Sequence, residues 1–161
     1  MKKIIHFILI TCLTFSCAEP PLQFSEEALN EKVITLDGNA ITLSEVLELH
    51  QGKTVLIDVW ASWCGDCIQG MPKVKAIQNQ FKTIDYVFLS VDRSQAAWKR
   101  GIEKYKVKGF HYFIPKGQKG AFGKFLNSNW IPRYMVINPD GSIKLYKATK
   151  ATDQSIIEAL K

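Results

Sequence analysis

Val55-Leu56-Ile57-Asp58-Val59-Trp60-Ala61-Ser62-Trp63-Cys64-Gly65-Asp66-Cys67 decides how this chain is read. Residues 55–59 are apolar except for Asp58, the pattern of a strand covered on both faces rather than one with a wet side. Helical spacing then takes over. Met71, Val74, Ile77 and Phe81 recur at intervals of three and four, with Pro72 inside the pattern, where it removes a backbone hydrogen bond and kinks the helix. Cys64 and Cys67 fall at the join. Two thiols two residues apart at a helix start can make and break one disulfide, which points to redox exchange.

On the N-terminal side of this stretch, residues 33–36 and 41–43 flank Asp37-Gly38-Asn39 and read as a hairpin. Ser44 is placed to cap a short helix that buries Leu43, Val46 and Leu47 and ends before Gly52. On the C-terminal side, a strand over 86–91 ends at Asp92. A helix follows, capped by Ser94, with Trp98, Ile102 and Tyr105 on one face, and then a strand over 110–114. Residues 115–120 form a loop, and Phe122, Phe125 and Leu126 mark one short helix. Two strands, 134–137 and 142–146, are joined by the turn Asn138-Pro139-Asp140-Gly141. A last helix carries Ile156, Ile157 and Leu160, capped by Thr152 or Asp153. Strands alternating with helices, closed by a hairpin and a helix, predict an α/β sandwich with a mixed central sheet and helices on both faces.

The 161 residues suit one domain with a true core, and a hydrophobic fraction of 47% argues against disorder. Residues 1–16 are set apart. Lys2 and Lys3 precede an apolar run over 4–15, too short for a stable membrane span, and small Ser16 precedes Cys17. This is a secretory signal. Glu19-Pro20-Pro21 lies in a stiff polar tether over 17–25, leaving 26–161 as the folded domain.

Of four cysteines, Cys12 lies in the signal and Cys17 at its end, so Cys64 and Cys67 are left as a chemical pair with no structural disulfide framework beside them. A structural zinc site needs about four ligands, and the mature chain adds only His50 and His111, so no metal is expected. His111, on a strand, reads as structural. The net charge of +6 falls to about +4 once Lys2 and Lys3 are removed. Its lysines read as a solvated face, including the local groups over 99–108 and 116–124, and no nucleic-acid motif accompanies them.

The string from Asp58 to Cys67, Pro72 five residues beyond the second cysteine, and Ile131-Pro132 ahead of a strand-turn-strand ending together resemble the thioredoxin superfamily, over about residues 29–161. The residues around Cys17 resemble a bacterial lipobox, in which that cysteine becomes the lipid-bearing first residue. With this anchor and about forty residues between Asp92 and Pro132, the chain resembles the membrane-tethered TlpA-like reductases more than cytosolic thioredoxin. The resemblance implies a thioredoxin-like three-layer sandwich with an extra helix and strand, 94–105 and 110–114, before a cis-proline at Pro132.

It also assigns roles. Cys64, at the helix N-terminus, would be the nucleophile, since unpaired backbone N–H groups and the helix dipole favour a thiolate there. Cys67 would resolve the mixed disulfide. Asp58 would be a buried proton carrier beneath Cys67, with Phe88 where the superfamily places a lysine. Trp63, Gly65, Asp66, Ile131 and Pro132 would meet the substrate, the cis bond exposing Ile131 for strand-like pairing, and Trp130 and Arg133 are expected to frame the same surface. Asp66 departs from the familiar proline, and its charge beside Cys64 opposes the thiolate, favouring the reducing direction.

The expected activity is therefore that of a monomeric thiol-disulfide oxidoreductase of the periplasm or cell envelope, with the Cys64/Cys67 disulfide as its redox centre and no other cofactor. Its partners would be oxidised envelope proteins as substrates, such as apocytochromes in cytochrome c maturation, an upstream membrane thiol reductant, and the membrane itself through lipid on Cys17. The alternative is a Cu(I)-binding metallochaperone of the same fold, holding the metal through Cys64 and Cys67.

Overall fold

The computed structural model describes residues 19–127 and 129–161. The signal over 1–16, with Cys12, and the lipid-bearing role assigned to Cys17 lie outside the described residues. The chain forms α1 (Glu26–Leu29), β1 (Lys32–Ile34), β2 (Ala40–Thr42), α2 (Leu43–Leu49), β3 (Val55–Trp60), α3 (Gly65–Gln80) and β4 (Asp85–Ser90). It continues through α4 (Gln95–Tyr105), β5 (Phe110–Phe113), a single 3-10 turn (Gly117–Lys119), α5 (Ala121–Phe125), β6 (Arg133–Ile137), β7 (Ile143–Ala148) and α6 (Gln154–Leu160).

The seven strands make one sheet in the order β2-β1-β5-β4-β3-β6-β7. It is mixed, as the sequence predicts: β3, β4 and β5 are parallel neighbours, while β6, β7 and the β1–β2 hairpin pair antiparallel. All six residues of β3 are buried, in keeping with its apolar run. The helix and strand expected as an insert are α4 and β5, and β5 continues the sheet beside β4.

Two successive right-handed crossovers in the same direction place α3 and α4 on one face of the sheet. Lys75 of α3 donates from Nζ to the carbonyl of Tyr105 at 2.8 Å, and the Gln78 side-chain amide donates to the carbonyl of Lys108. Trp60, fully buried, meets Tyr105 edge-on beneath them. Strand alternation then sets Leu56, Asp58 and Trp60 toward α3 and α4, and Val55, Ile57 and Val59 toward the opposite side. There α1, α2 and α5 gather. Phe24 packs against Phe122 and Phe125, and the Glu31 carboxylate accepts the backbone N–H groups of Ala121 and Phe122 at the start of α5. A Cβ at Gly120 would stand 2.6 Å from that carboxylate, so this close approach requires glycine.

The N-terminal elements differ from the sequence reading in detail. The cap of α2 is Thr42, not Ser44: its hydroxyl accepts the Glu45 N–H while the Glu45 carboxylate accepts the Thr42 N–H at 2.6 Å. Ser44 donates to Glu48 one turn on. This reciprocal box withdraws Leu43 from the hairpin into the helix. Helix α1 leaves no signal in the sequence, because four residues are too short to show a period; Ser25 caps it. The chain joins the domain ahead of residue 26, since Phe24 is buried and the carbonyl of Leu22 accepts the Ile143 N–H at 2.8 Å.

Candidate active site

Cys64 is the N-cap of α3, and the Cys67 backbone N–H donates to its sulfur at 3.1 Å. A hydrogen bond from an otherwise unpaired first-turn N–H stabilises negative charge on that sulfur once the disulfide opens. In the structure the two sulfurs are bonded to each other, with Cα atoms 5.2 Å apart. Cys67 points into the core and is 1% exposed; Cys64, at 6%, lines a surface cleft with Trp63, Gly65, Asp66, Trp130 and Ile131. The Ile131–Pro132 peptide bond is cis, and the Ile131 carbonyl oxygen lies 3.6 Å from Cys64 Sγ. Pro132 lines the next groove along, which shares Asp66 and Trp130 with the first.

Asp58 lies under this helix. Its cross-strand neighbour Tyr134 shares its face of the sheet, and the Tyr134 hydroxyl reaches α3, where a Cβ on Gly70 would be only 3.0 Å from it. On the other side Phe88 stands in register with Asp58 and stacks on His111, so an aromatic ring occupies the flank where the resemblance anticipates a lysine. Asp58 is 2% exposed and its Oδ1 has no hydrogen-bond partner. Desolvation without compensation pushes its carboxyl up to about 8. Burial first, and then the nearby Asp58, also push the Tyr134 phenol far above its ordinary value. The site thus holds a disulfide at a helix N-terminus and, on the sheet face beneath that helix, a carboxyl group that changes protonation near neutral pH.

A family model described as thioredoxin-like matches residues 52–143, more than half of the chain and all of the site as far as β7. The chain belongs to the thioredoxin-like family. It is 29% identical over 133 residues to the thiol-disulfide oxidoreductase ResA of Bacillus thuringiensis (strain Al Hakam), spanning 80% of this chain and 72% of the relative, and equally similar to ResA of Bacillus anthracis. Among solved structures, a candidate thiol-disulfide oxidoreductase of Bacteroides vulgatus, determined in solution, superimposes with a TM-score of 0.65 at 28% identity, covering 80% of this chain and 82% of that one. The thioredoxin domain of a second thiol-disulfide oxidoreductase of Bacteroides vulgatus shares the fold, with a TM-score of 0.68 at 23% identity over 87% and 99% of the two chains. With a Cys64–Cys67 disulfide inside the matched region, this thioredoxin-like chain is a thiol-disulfide oxidoreductase.

The thioredoxin-like site gathers more residues than the sequence reading named, and releases one. Asp92, two residues past β4, is buried, and its carboxylate accepts the Ser62 backbone N–H, the Ser62 hydroxyl at 2.7 Å and the Ser90 hydroxyl at 2.9 Å. It therefore fixes the turn over 61–63 that delivers Cys64 to α3. In the sequence Asp92 marks only a strand end; its partner Ser62 lies thirty residues earlier, and nothing local links them. Gly101 of α4 serves the same turn, since a Cβ there would be 2.7 Å from that of Ser62.

Arg133 does not frame the surface. It is 1% exposed, lies opposite Val59 on the α5 side, donates from Nη1 to the carbonyl of Leu126 at 2.9 Å and sits over the Tyr146 ring. The first strand residue after cis-Pro132 alternates inward, and its guanidinium anchors the end of α5. Trp63 and Trp130 are 54% and 62% exposed, at the edges of the cleft. His111 is buried with its Nε2 3.0 Å from the Val107 carbonyl, and burial lowers its pKa, as suits a structural histidine. Among the described residues no group of three or more His, Cys, Asp or Glu gathers, and no helix is long and apolar enough to cross a membrane.

Proposed function

We propose that this oxidoreductase works outside the cytoplasm as a reductant of protein disulfides, held at the membrane by lipid on Cys17. The observation that carries this reading is the asymmetry of the disulfide: Cys64 lines a cleft beside the Ile131 carbonyl, while Cys67 is sealed in the core. Cys64 thiolate attacks one sulfur of the substrate disulfide, forming a mixed disulfide and releasing the other sulfur as a thiolate. The Cys67 thiol then passes its proton to the Asp58 carboxylate, and its sulfur attacks Cys64 Sγ. The S–S bond to the substrate breaks, the substrate leaves as a dithiol, and the Cys64–Cys67 disulfide seen here is the oxidised product. Two electrons have passed to the substrate, and an upstream membrane thiol reductant restores the dithiol.

Asp66 supports the reducing direction. It sits exposed in the first turn of α3 beside Cys64, where its charge opposes the thiolate and so disfavours the reduced pair's retention of electrons. Oxidised envelope proteins, apocytochromes among them, are the proposed clients. A Cu(I) carrier would have to rest on the two sulfurs alone, and no further observation favours it. Trapping tests the main reading: the Cys67→Ser chain should retain client proteins covalently on Cys64, released by dithiothreitol. Capture of small thiols alone contradicts it.

A further inference from the structure

The clefts on the two sides of Trp130 differ in charge. Among the described residues, the cleft facing Cys64 has Asp66 as its one charged lining residue, whereas the groove beyond Trp130 runs from Asp66 and Pro132 along the outer side of α3 to the β7–α6 connection and is lined by Lys73, Lys147 and Lys150. All three lysines are exposed. None is in an ion pair: among the described residues such pairs join only Asp85 to His50 and to Lys53, at the far end of β4. Three ammonium groups therefore line one groove against the single carboxylate of Asp66, and through Asp66 and Trp130 the groove borders the cleft that holds Cys64. None of them belongs to the lysine groups over 99–108 and 116–124 that stand out in the sequence; α3, β7 and the loop after it bring them together.

We infer that this groove binds an acidic, extended stretch of the substrate polypeptide next to its disulfide-bonded cysteine. The inference rests on the reading that the substrate is a protein disulfide, and it names the class of protein. The spacing follows from the helix. Lys73 lies seven residues beyond Asp66, about 10 Å along α3, which an extended chain covers in about three residues. Carboxylates two to five positions from the target cysteine therefore reach the lysines, while a carboxylate immediately beside the cysteine meets Asp66 and is repelled. Gln69, Thr149 and Thr152 on the groove wall offer polar groups to the peptide between them.

The experiment uses the reduced full chain and disulfide-linked peptides that differ only in three residues placed two to five positions from the cysteine, Asp-Glu-Asp or Asn-Gln-Asn. The readout is the ratio of kcat/KM for the acidic and neutral peptides, taken within one protein so that a change in redox potential cancels. A ratio of about ten at low ionic strength is expected, falling toward one in 0.5 M salt and inverting in the K73E/K147E/K150E protein. A ratio of one, or a ratio that survives the triple substitution, overturns the inference while leaving protein-disulfide reduction intact. Failure to reduce either peptide, with a small aromatic disulfide still reduced, overturns the reading on which it rests. A ratio of one together with lysine-dependent binding to vesicles of anionic lipid overturns it in favour of a membrane-facing groove.

Discussion

Two carboxyl groups are buried at the redox end of the sheet, and they are opposites. Asp92 accepts hydrogen bonds from a backbone N–H and two hydroxyls; Asp58 has an oxygen with no partner at all. Both sit near the segment that delivers Cys64, both follow or interrupt an apolar run, and their burial is nearly equal, 4% and 2%. Burial alone therefore does not make a proton carrier. Where donors surround the carboxylate it becomes a bracket for the turn over 61–63; where they are withheld, desolvation pushes the group up to about 8 and leaves it able to exchange a proton at neutral pH.

The largest way to break this contrast is to remove the unpaired acid. Asp58→Asn should slow resolution of the mixed disulfide by about a hundredfold at neutral pH, the lower range for loss of a positioned general base. The same substitution changes how stability depends on pH. The folded-state pKa of Asp58, about 8, lies above the unfolded value near 4, so its contribution is fully present below about pH 4 and is lost as pH rises through 8. The wild-type protein should therefore lose up to about 1.4 kcal/mol per pH unit across that window from this group, and Asp58→Asn should flatten the slope. Urea unfolding at intervals between pH 5 and 9 measures it, and parallel slopes in the two proteins would refute the burial argument.

Asp92→Ala tests the other half of the comparison. It leaves the Ser62 N–H and two hydroxyls without their acceptor, and about 3 kcal/mol of stability should be lost, with little change in the pH at which the exchange rate inflects. A shifted inflection with unchanged stability would exchange the roles of the two acids. Tyr134→Phe is a smaller effect in the opposite direction. Its buried hydroxyl has no partner, so its removal should stabilise the protein by about 1 kcal/mol, seen as a higher urea midpoint. The smallest effect belongs to the exposed acid. Asp66→Pro should make the reduction potential less negative by about 10–30 mV, read in a glutathione titration; an unchanged or more negative potential removes Asp66 from the account.

Much of this site was legible because its residues are consecutive. Asp58, Trp63, Cys64, Gly65, Asp66 and Cys67 lie on one strand, turn and helix, and Pro132 stood out through its place before the closing hairpin. What escaped was assembled across the chain. The partnership of Asp92 with Ser62 depends on the parallel register of β3 and β4, which periodicity does not encode. The inward turn of Arg133 depends on which side of β6 faces α5, and a strand with all five residues buried carries no alternation to reveal it. The same holds for the cap of α2, where Ser44 and Thr42 are equally good capping residues and only the returning Glu45 distinguishes them. Topology was easier than register, because helix and strand lengths dictate crossovers while side-chain partnerships are settled by packing.

The most direct test of the central claim is the rate at which the Cys64-linked mixed disulfide resolves, measured from pH 5 to 10 in the wild-type and Asp58→Asn proteins. The wild-type rate should rise with an inflection near pH 8, where Asp58 becomes able to accept the Cys67 proton, and the variant should lose that inflection and be slower throughout the neutral range. Superimposable profiles would mean that Cys67 gives up its proton elsewhere, and that the unpaired carboxyl beneath α3 has no part in the exchange.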